Sequence, residues 1–390
     1  MKSPAIFDYP LFKLGFRAFF ALAGFAALIL MVFWNALFKG TLTIEHYFSN
    51  NYWHAHEMLL GYAVAVIAGF LLTAVKNWTG KQTISGDPLA FLCLLWLYGR
   101  ILPFYAGQLP DVLIAVVDFA FLPVLAYYVG KPIIEVRQFR NLFVIGLLLL
   151  LTLSNGLIHL EMLGLTNTAS VGVLLAVATI IILILIIAGR VFPFFTERGL
   201  PGTLIIKNPL FDNVSITSAG AVFALQLVGI SGTALALAAV AAVVANTLRL
   251  AGWYVQRIWY VPLLWVLFTG YGWIILGFLL TVLSAYHVVL PSLALHAFTL
   301  GGIGVLTLGM MARVSLGHTG RLLKASNTIA IAFILINIAA LFRILLPIAI
   351  PAWYENLIYV STLFWLAAFS LFILVYAPIL SSVRVDGQDG

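Results

Sequence analysis

Charged residues are scarce in this sequence: Asp, Glu, Lys and Arg make up only 8% of the 390 residues. Soluble domains carry about 25% charged residues, so this composition excludes an ordinary soluble protein. Cysteine is nearly absent, since Cys93 is the single one and lies within an apolar run. One cysteine excludes a disulfide framework, a Cys-Xaa-Xaa-Cys-His haem attachment and a thiolate zinc site.

Long apolar runs dominate the rest of the chain. Hydrophobic residues make up 63% of it, and the mean hydropathy is +1.12. Each run is continuous rather than alternating and about 20 residues long, which is typical of a membrane-spanning helix. We therefore predict an all-α polytopic membrane protein, with about twelve transmembrane helices in a single integral membrane domain over residues 1–390. The predicted spans are roughly 15–38, 53–75, 88–106, 110–129, 141–161, 168–190, 213–231, 233–251, 260–283, 291–313, 326–346 and 353–378.

The positive charges alternate along the chain. Seventeen of the 20 lysines and arginines fall at the termini and on the even-numbered links between spans, and three fall on the odd-numbered links. Because basic residues are retained on cytoplasmic loops, we predict that the N and C termini are both cytoplasmic. These loops also account for the net charge of +7. We therefore expect membrane lipid, and no nucleic acid, as a partner.

Seven histidines stand out among so few polar residues. Imidazole is costly to bury in lipid without a partner, and it is a common ligand of haem iron and copper. The predicted topology places five histidines at one depth near the outer face, so this layer predicts a metal centre. Taken alone, any one of them is more often a hydrated interfacial residue. The five are His54, His56, His159, His287 and His296.

The spacing of the first two histidines restricts how they bind a metal. His54 and His56 are two residues apart, so on a regular helix they point about 200° apart and cannot both bind one ion. Glu57 lies three residues after His54 on the same face, and we predict that it orients His54.

Three further charged residues lie near the same predicted layer. Asp118 is about two turns into the fourth span, where an acid is costly. With Glu57 it is a candidate catalytic acid that relays protons, and a protonated structural aspartate is the alternative. Arg100 and Arg343 lie at the outer ends of the third and eleventh spans. They are candidates for binding the anionic propionates of a haem, and snorkelling toward the headgroups is the alternative.

Several blocks of sequence together resemble the NnrS family. They are spread over nearly the whole chain, and the run Arg313–Arg321, which reads RVSLGHTGR, is the most distinctive. The others are Trp53–Met58, Gly69–Gly80, Gly189–Thr196 and His296–Thr299.

The resemblance implies a multi-pass protein of the bacterial inner (cytoplasmic) membrane that contains haem b and copper. It implies a role in denitrification and in resistance to nitric oxide stress. Carried over residue by residue, the implied metal positions are His54, His56 and His296, with weaker support for His159 and His287. The resemblance leaves open which metal binds which histidine.

Three functions are compatible with these features of the sequence. The leading hypothesis is a haem- and copper-binding protein that handles nitric oxide as an oxidoreductase similar to nitric oxide reductases. Its electrons would come from quinol or from a periplasmic donor. The second is binding of haem and nitric oxide without turnover, in a sensor, a sink or a metal-delivery protein. The third is a small-molecule transporter, which predicts binding residues near the bilayer midplane on broken helices, with inverted repeats. It ranks third because the polar residues lie mainly at the two faces.

Overall fold

Helices make up most of the chain. The structure is a computed structural model that describes residues 9–43 and 46–388. The model is 81% helical, and its described part contains no strand. The prediction of an all-α protein with about twelve membrane-spanning helices is confirmed. In chain order, α1 to α12 are Gly15–Phe38, Asn50–Thr79, Asp87–Tyr105, Asp111–Glu135, Phe139–Met162, Ala169–Gly199, Pro209–Leu227, Thr233–Trp253, Pro262–Ala285, Pro291–His318, Asn327–Ala349 and Pro351–Ser381. The orientation of the termini stays a prediction, and residues 1–8 and 389–390 lie outside the described part.

A short turn separates α7 from α8, although the sequence is apolar on both sides of it. Gly229 and Gly232 both have positive φ, at 74° and 69°. Glycine adopts this conformation without the steric cost that a Cβ brings. The two glycines therefore reverse the chain and split one apolar stretch into two spans.

The sixth span was predicted too short. It was expected to end near residue 190, whereas α6 continues through Pro193 to Gly199. A proline inside a helix is tolerated in a membrane protein when neighbouring groups satisfy the freed backbone atoms. The link to α7 is therefore shorter than the Gly and Pro residues in this segment suggested.

The helices belong to two compact units. The first unit comprises the residues up to Ala176, together with Val314–Leu322 and those from Phe372 onward. The second unit comprises Val177–Arg313 and Leu323–Leu371. The interpretation of the chain as a single integral membrane domain stays a prediction.

Three helices widen locally into π-helical turns. These turns are Glu57–Ala63 in α2, Ala297–Gly304 in α10 and Leu341–Leu345 in α11. The first two begin directly after a histidine, at His56 and His296. Single π-turns are often found at functional sites. They shift the residues that follow relative to a regular helix, and so re-aim the side chains at the junction.

Candidate metal centre

Two histidines and an aspartate from three helices meet in the interior of the first unit. His56 lies on α2, Asp118 on α4 and His159 on α5, and all three are buried. Asp118 Oδ2 lies 3.1 Å from His56 Nε2 and 2.8 Å from His159 Nε2. The three candidate ligand atoms are all within 4.8 Å of one another. Two imidazoles and a carboxylate at this spacing have the donor chemistry of a copper or ferrous iron site.

A second layer of polar groups holds these three side chains. Glu57 Oε1 lies 3.1 Å from His56 Nδ1, and Glu57 Oε2 lies 3.1 Å from Arg100 Nε. Arg100 also donates to Asp118 Oδ1. Asn155 Nδ2 donates to Asp118 Oδ2 at 2.9 Å. The Glu57–Arg100 contact is an ion pair and the other contacts are within hydrogen-bonding distance; such partners fix the orientation of metal-binding side chains and tune their basicity.

Basic and acidic side chains face each other in this cluster. His56 Nδ1 lies 3.1 Å from Glu57 Oε1, and His56 Nε2 lies 3.1 Å from both Asp118 Oδ2 and Asn155 Oδ1. Two basic side chains, His56 and Arg100, are thus set against two acidic ones, Glu57 and Asp118, and a metal bound at Nε2 would take the place of a proton there. Buried charges are tolerated when each one is paired and hydrogen-bonded. The cluster therefore places each buried basic side chain, His56 and Arg100, against carboxylate oxygens of Glu57 and Asp118.

The link between α1 and α2 covers the cluster with two aromatic side chains. The ring of Phe48 stacks on His56, with centroids 4.4 Å apart, and the Tyr47 hydroxyl lies 3.3 Å from His159 Nδ1. Both aromatic residues are buried. Burial raises the pKa of the Tyr47 hydroxyl, and the charges of Asp111 and Asp118 raise it further. Tyr47 therefore stays protonated and is able to hydrogen-bond the outer nitrogen of His159.

Sequence reasoning missed Tyr47, Phe48 and Asn155. Asn155 lies four residues before His159 on the same helix face, and this spacing was a usable signal. Tyr47 and Phe48 give no such signal in the sequence, because only the fold brings the α1–α2 link over the cluster.

The other residues of the first unit differ in part from expectation. His54 points away from His56, as the two-residue spacing requires, and stacks on Trp34 with centroids 4.1 Å apart. Glu57 contacts His56, although the spacing had pointed to His54 as its partner. Arg100, a candidate for haem propionates, pairs instead with two protein carboxylates.

The second unit contains the remaining predicted site residues. His287 is exposed, with a positive φ of 57°, in the turn after α9. His296 is half-buried, and its Nδ1 lies 2.7 Å from the carbonyl oxygen of Ser292. Arg343 lies over the ring of Tyr354 at 5.4 Å, and its Nη1 is buried without a hydrogen-bond partner among the described residues. Of the five predicted histidine ligands, the structure thus shows His56 and His159 in one cluster.

A family model described as NnrS protein matches residues 10–384, which is nearly the whole chain. No curated protein matches the chain.

Proposed function

Because this chain belongs to the NnrS family, we propose that it binds haem b and copper in the bacterial inner membrane and handles nitric oxide. Its role would be defence against nitrosative stress, linked to denitrification, as an oxidoreductase similar to nitric oxide reductases. The observation that carries the proposal is the buried set of His56, Asp118 and His159, which presents three converging ligand atoms. Such a set is costly to keep inside a membrane protein and is typical of a functional site.

Copper is assigned to this set. The two Nε2 atoms and Asp118 Oδ2 suit its preference for imidazole, with a carboxylate as the third ligand. Glu57 and Tyr47 lie against the outer nitrogens of His56 and His159. They hold each ring with its Nε2 turned toward Asp118, which is the support that a metal-binding histidine requires.

Haem b is assigned to the second unit at His296. A carbonyl oxygen only accepts hydrogen bonds, so the contact with Ser292 places the proton of the neutral ring on Nδ1 and leaves Nε2 as the basic nitrogen. Arg343 would bind a haem carboxylate, because a guanidinium pairs with a carboxylate through two parallel hydrogen bonds. When bound, haem and copper would supply redox-active sites for nitric oxide, with electrons from quinol or a periplasmic donor.

The residues around the copper ligands would supply protons and exclude water. His56 holds a proton at Nδ1 against Glu57 Oε1, and Asp118 contacts both imidazoles. Glu57 and Asp118 are therefore the proposed catalytic acids. Phe48 covers His56, so bulk water is kept from the cluster.

Metal analysis and a visible spectrum of the purified full-length protein test these assignments. We expect His56→Ala and His159→Ala to lower copper content at least about tenfold, since even supporting residues of a metal site cost 10–100-fold in affinity. We expect His296→Ala to abolish the Soret band while copper is retained. The control is His46→Gln, a half-buried histidine of the α1–α2 link that is outside the donor set. Unchanged metal content in all three alanine variants would refute the assignments.

Turnover requires a separate measurement. The reduced protein is given nitric oxide under anaerobic conditions, and consumption is followed with an electrode. Consumption above the background of free haem supports the oxidoreductase role. Stable binding of nitric oxide without consumption indicates a sensor, a sink or a metal-delivery protein. Absence of a Soret band in the wild-type protein refutes the haem assignment and favours a transporter.

A further inference from the structure

Helix α10 repeats features of α2. At a shift of 240 positions, each helix has a histidine directly before a π-turn, and glycines at the same two places. Threonine, glycine and a basic residue follow one another at the end of each helix or directly after it. The matching pairs are His56 with His296, Gly61 with Gly301, Gly69 with Gly309, Thr79 with Thr319, Gly80 with Gly320, and Lys81 with Arg321.

The next two helices repeat as well. At a shift of 243 positions, Arg100-Ile101-Leu102 of α3 matches Arg343-Ile344-Leu345 of α11. At the same shift, buried positions of α4 match buried positions of α12. These pairs are Ile114 with Leu357, Ala115 with Ile358, Asp118 with Ser361, Leu122 with Trp365, Leu125 with Ala368, and Ala126 with Phe369.

The preceding helix packs in the same way in both places. Gly69 of α2 lies against Phe20 of α1, and Gly309 of α10 lies against Val266 of α9, in contacts that leave no room for a Cβ. Matched glycines that admit a neighbouring helix are a packing feature as well as a sequence feature. The pattern of α1–α4 is therefore repeated in α9–α12, and we call these the first and the second copy of the pattern.

The two copies differ in charge at the matched site. In the first copy, Arg100 is neutralised by Glu57 and Asp118. The counterparts of these acids are Ala297 and Ser361, so the second copy keeps the histidine and the arginine and lacks both carboxylates.

Contacts in the second copy agree with this difference. Ala297 packs with Ile344 and Tyr354 in a buried apolar cluster. The hydroxyl of Ser361 donates to the carbonyl oxygen of Ala339. Arg343 lies over Tyr354, and its buried Nη1 has no hydrogen-bond partner among the described residues. Arg100 also has one nitrogen without a hydrogen bond, but it has two carboxylate partners, whereas Arg343 has none among the described residues. A buried guanidinium without a counter-ion is costly, and an anion would remove that cost.

We propose that the second copy binds an oxyanion at Arg343, at the position where Arg100 of the first copy is paired with two acids. The ligand presents two oxygens to the guanidinium, as a carboxylate or nitrite does. Its source is either a carboxylate of a bound macrocycle or a free small anion. The proposal deepens the proposed function and partly rests on it, because Arg343 belongs to the haem site assigned above.

The decisive variant is Ala297→Glu in the full-length protein. It restores the acid that Glu57 provides in the first copy, so Arg343 would be neutralised from within. Arg343→Gln removes the charge directly. Arg343→Lys keeps the charge but loses the paired donors, and it replaces the glutamine variant if that variant does not fold. The matched control is Lys324→Gln, an exposed positive charge shortly before α11.

Haem content, copper content and the unfolding midpoint with and without sodium nitrite are measured for each variant. A macrocycle carboxylate predicts at least about a tenfold loss of haem in Ala297→Glu and Arg343→Gln, with copper unchanged. A free anion predicts that nitrite raises the midpoint of the wild type and the control, but not of these two variants. If both variants keep the haem content and the nitrite response of the wild type, the proposal is wrong. A wild type without copper or haem refutes the proposed function, whereas the nitrite measurement still tests the oxyanion site.

Discussion

At the scale of single residues, the partner of each imidazole nitrogen decides what the histidines can do. His56 is held at both nitrogens by carboxylates, and His159 lies between Asp118 and the hydroxyl of Tyr47. His54 instead stacks on Trp34. His54 and His56 are two residues apart, yet they differ in chemistry because their partners, Trp34 and Asp118, lie far apart in the chain.

Tyr47 gives a direct test at this scale. We expect Tyr47→Phe to fold normally and to lower copper affinity about 10–100-fold, because the hydrogen bond to His159 Nδ1 is lost. Copper affinity is measured by competition with a chelator, and the hyperfine pattern of the Cu(II) spectrum reports the nitrogen ligands. The matched control is Tyr105→Phe, an exposed tyrosine of the same unit. Equal affinities in the two variants would show that Tyr47 does not position His159.

At the scale of helices and turns, departures from regular geometry position the functional groups. The π-turn after His56 rotates the later part of α2 relative to the turn that carries this histidine. The α7–α8 turn depends on two glycines with positive φ. In both cases a local departure from regular helix decides where the following residues lie.

The π-turn of α2 is tested by deleting Met58. Removing one residue rotates the two parts of a helix by about 100° relative to each other. His56 then turns away from Asp118, and we expect copper to be lost while the span still inserts. The matched control deletes Thr299 from the π-turn of α10, and we expect copper to be retained in that variant. Retention of copper after deletion of Met58 would argue against a role for this turn.

The α7–α8 turn is tested by Gly229→Ala. A Cβ at positive φ costs roughly 1–2 kcal/mol, so we expect a loss of unfolding free energy of about that size. Denaturation in mixed detergent micelles measures it. Gly220→Ala serves as the control, because Gly220 is inside α7 with open space around its Cα. There we expect a small gain, since alanine favours a helix over glycine.

At the scale of the whole molecule, the alternation of basic residues specifies the topology. We predict that a fluorescent protein fused to the C terminus is fluorescent, because it stays in the cytoplasm. A phosphatase fused after α1 should be active outside, and one fused after α2 should be inactive. The opposite pattern would invert the orientation and move the histidine layer to the cytoplasmic face.

The sequence by itself determined the architecture of twelve helices, because a lipid environment allows little besides continuous apolar helices of sufficient length. It also determined the family, through blocks spread along the chain, and it singled out His56, His159 and Asp118 as costly residues to bury. Only the tertiary structure decided that these three converge, that Glu57 contacts His56, and that Arg100 is neutralised while Arg343 is not. The physical reason is that hydropathy acts along the chain, whereas a metal site depends on contacts between helices, which length and composition leave open.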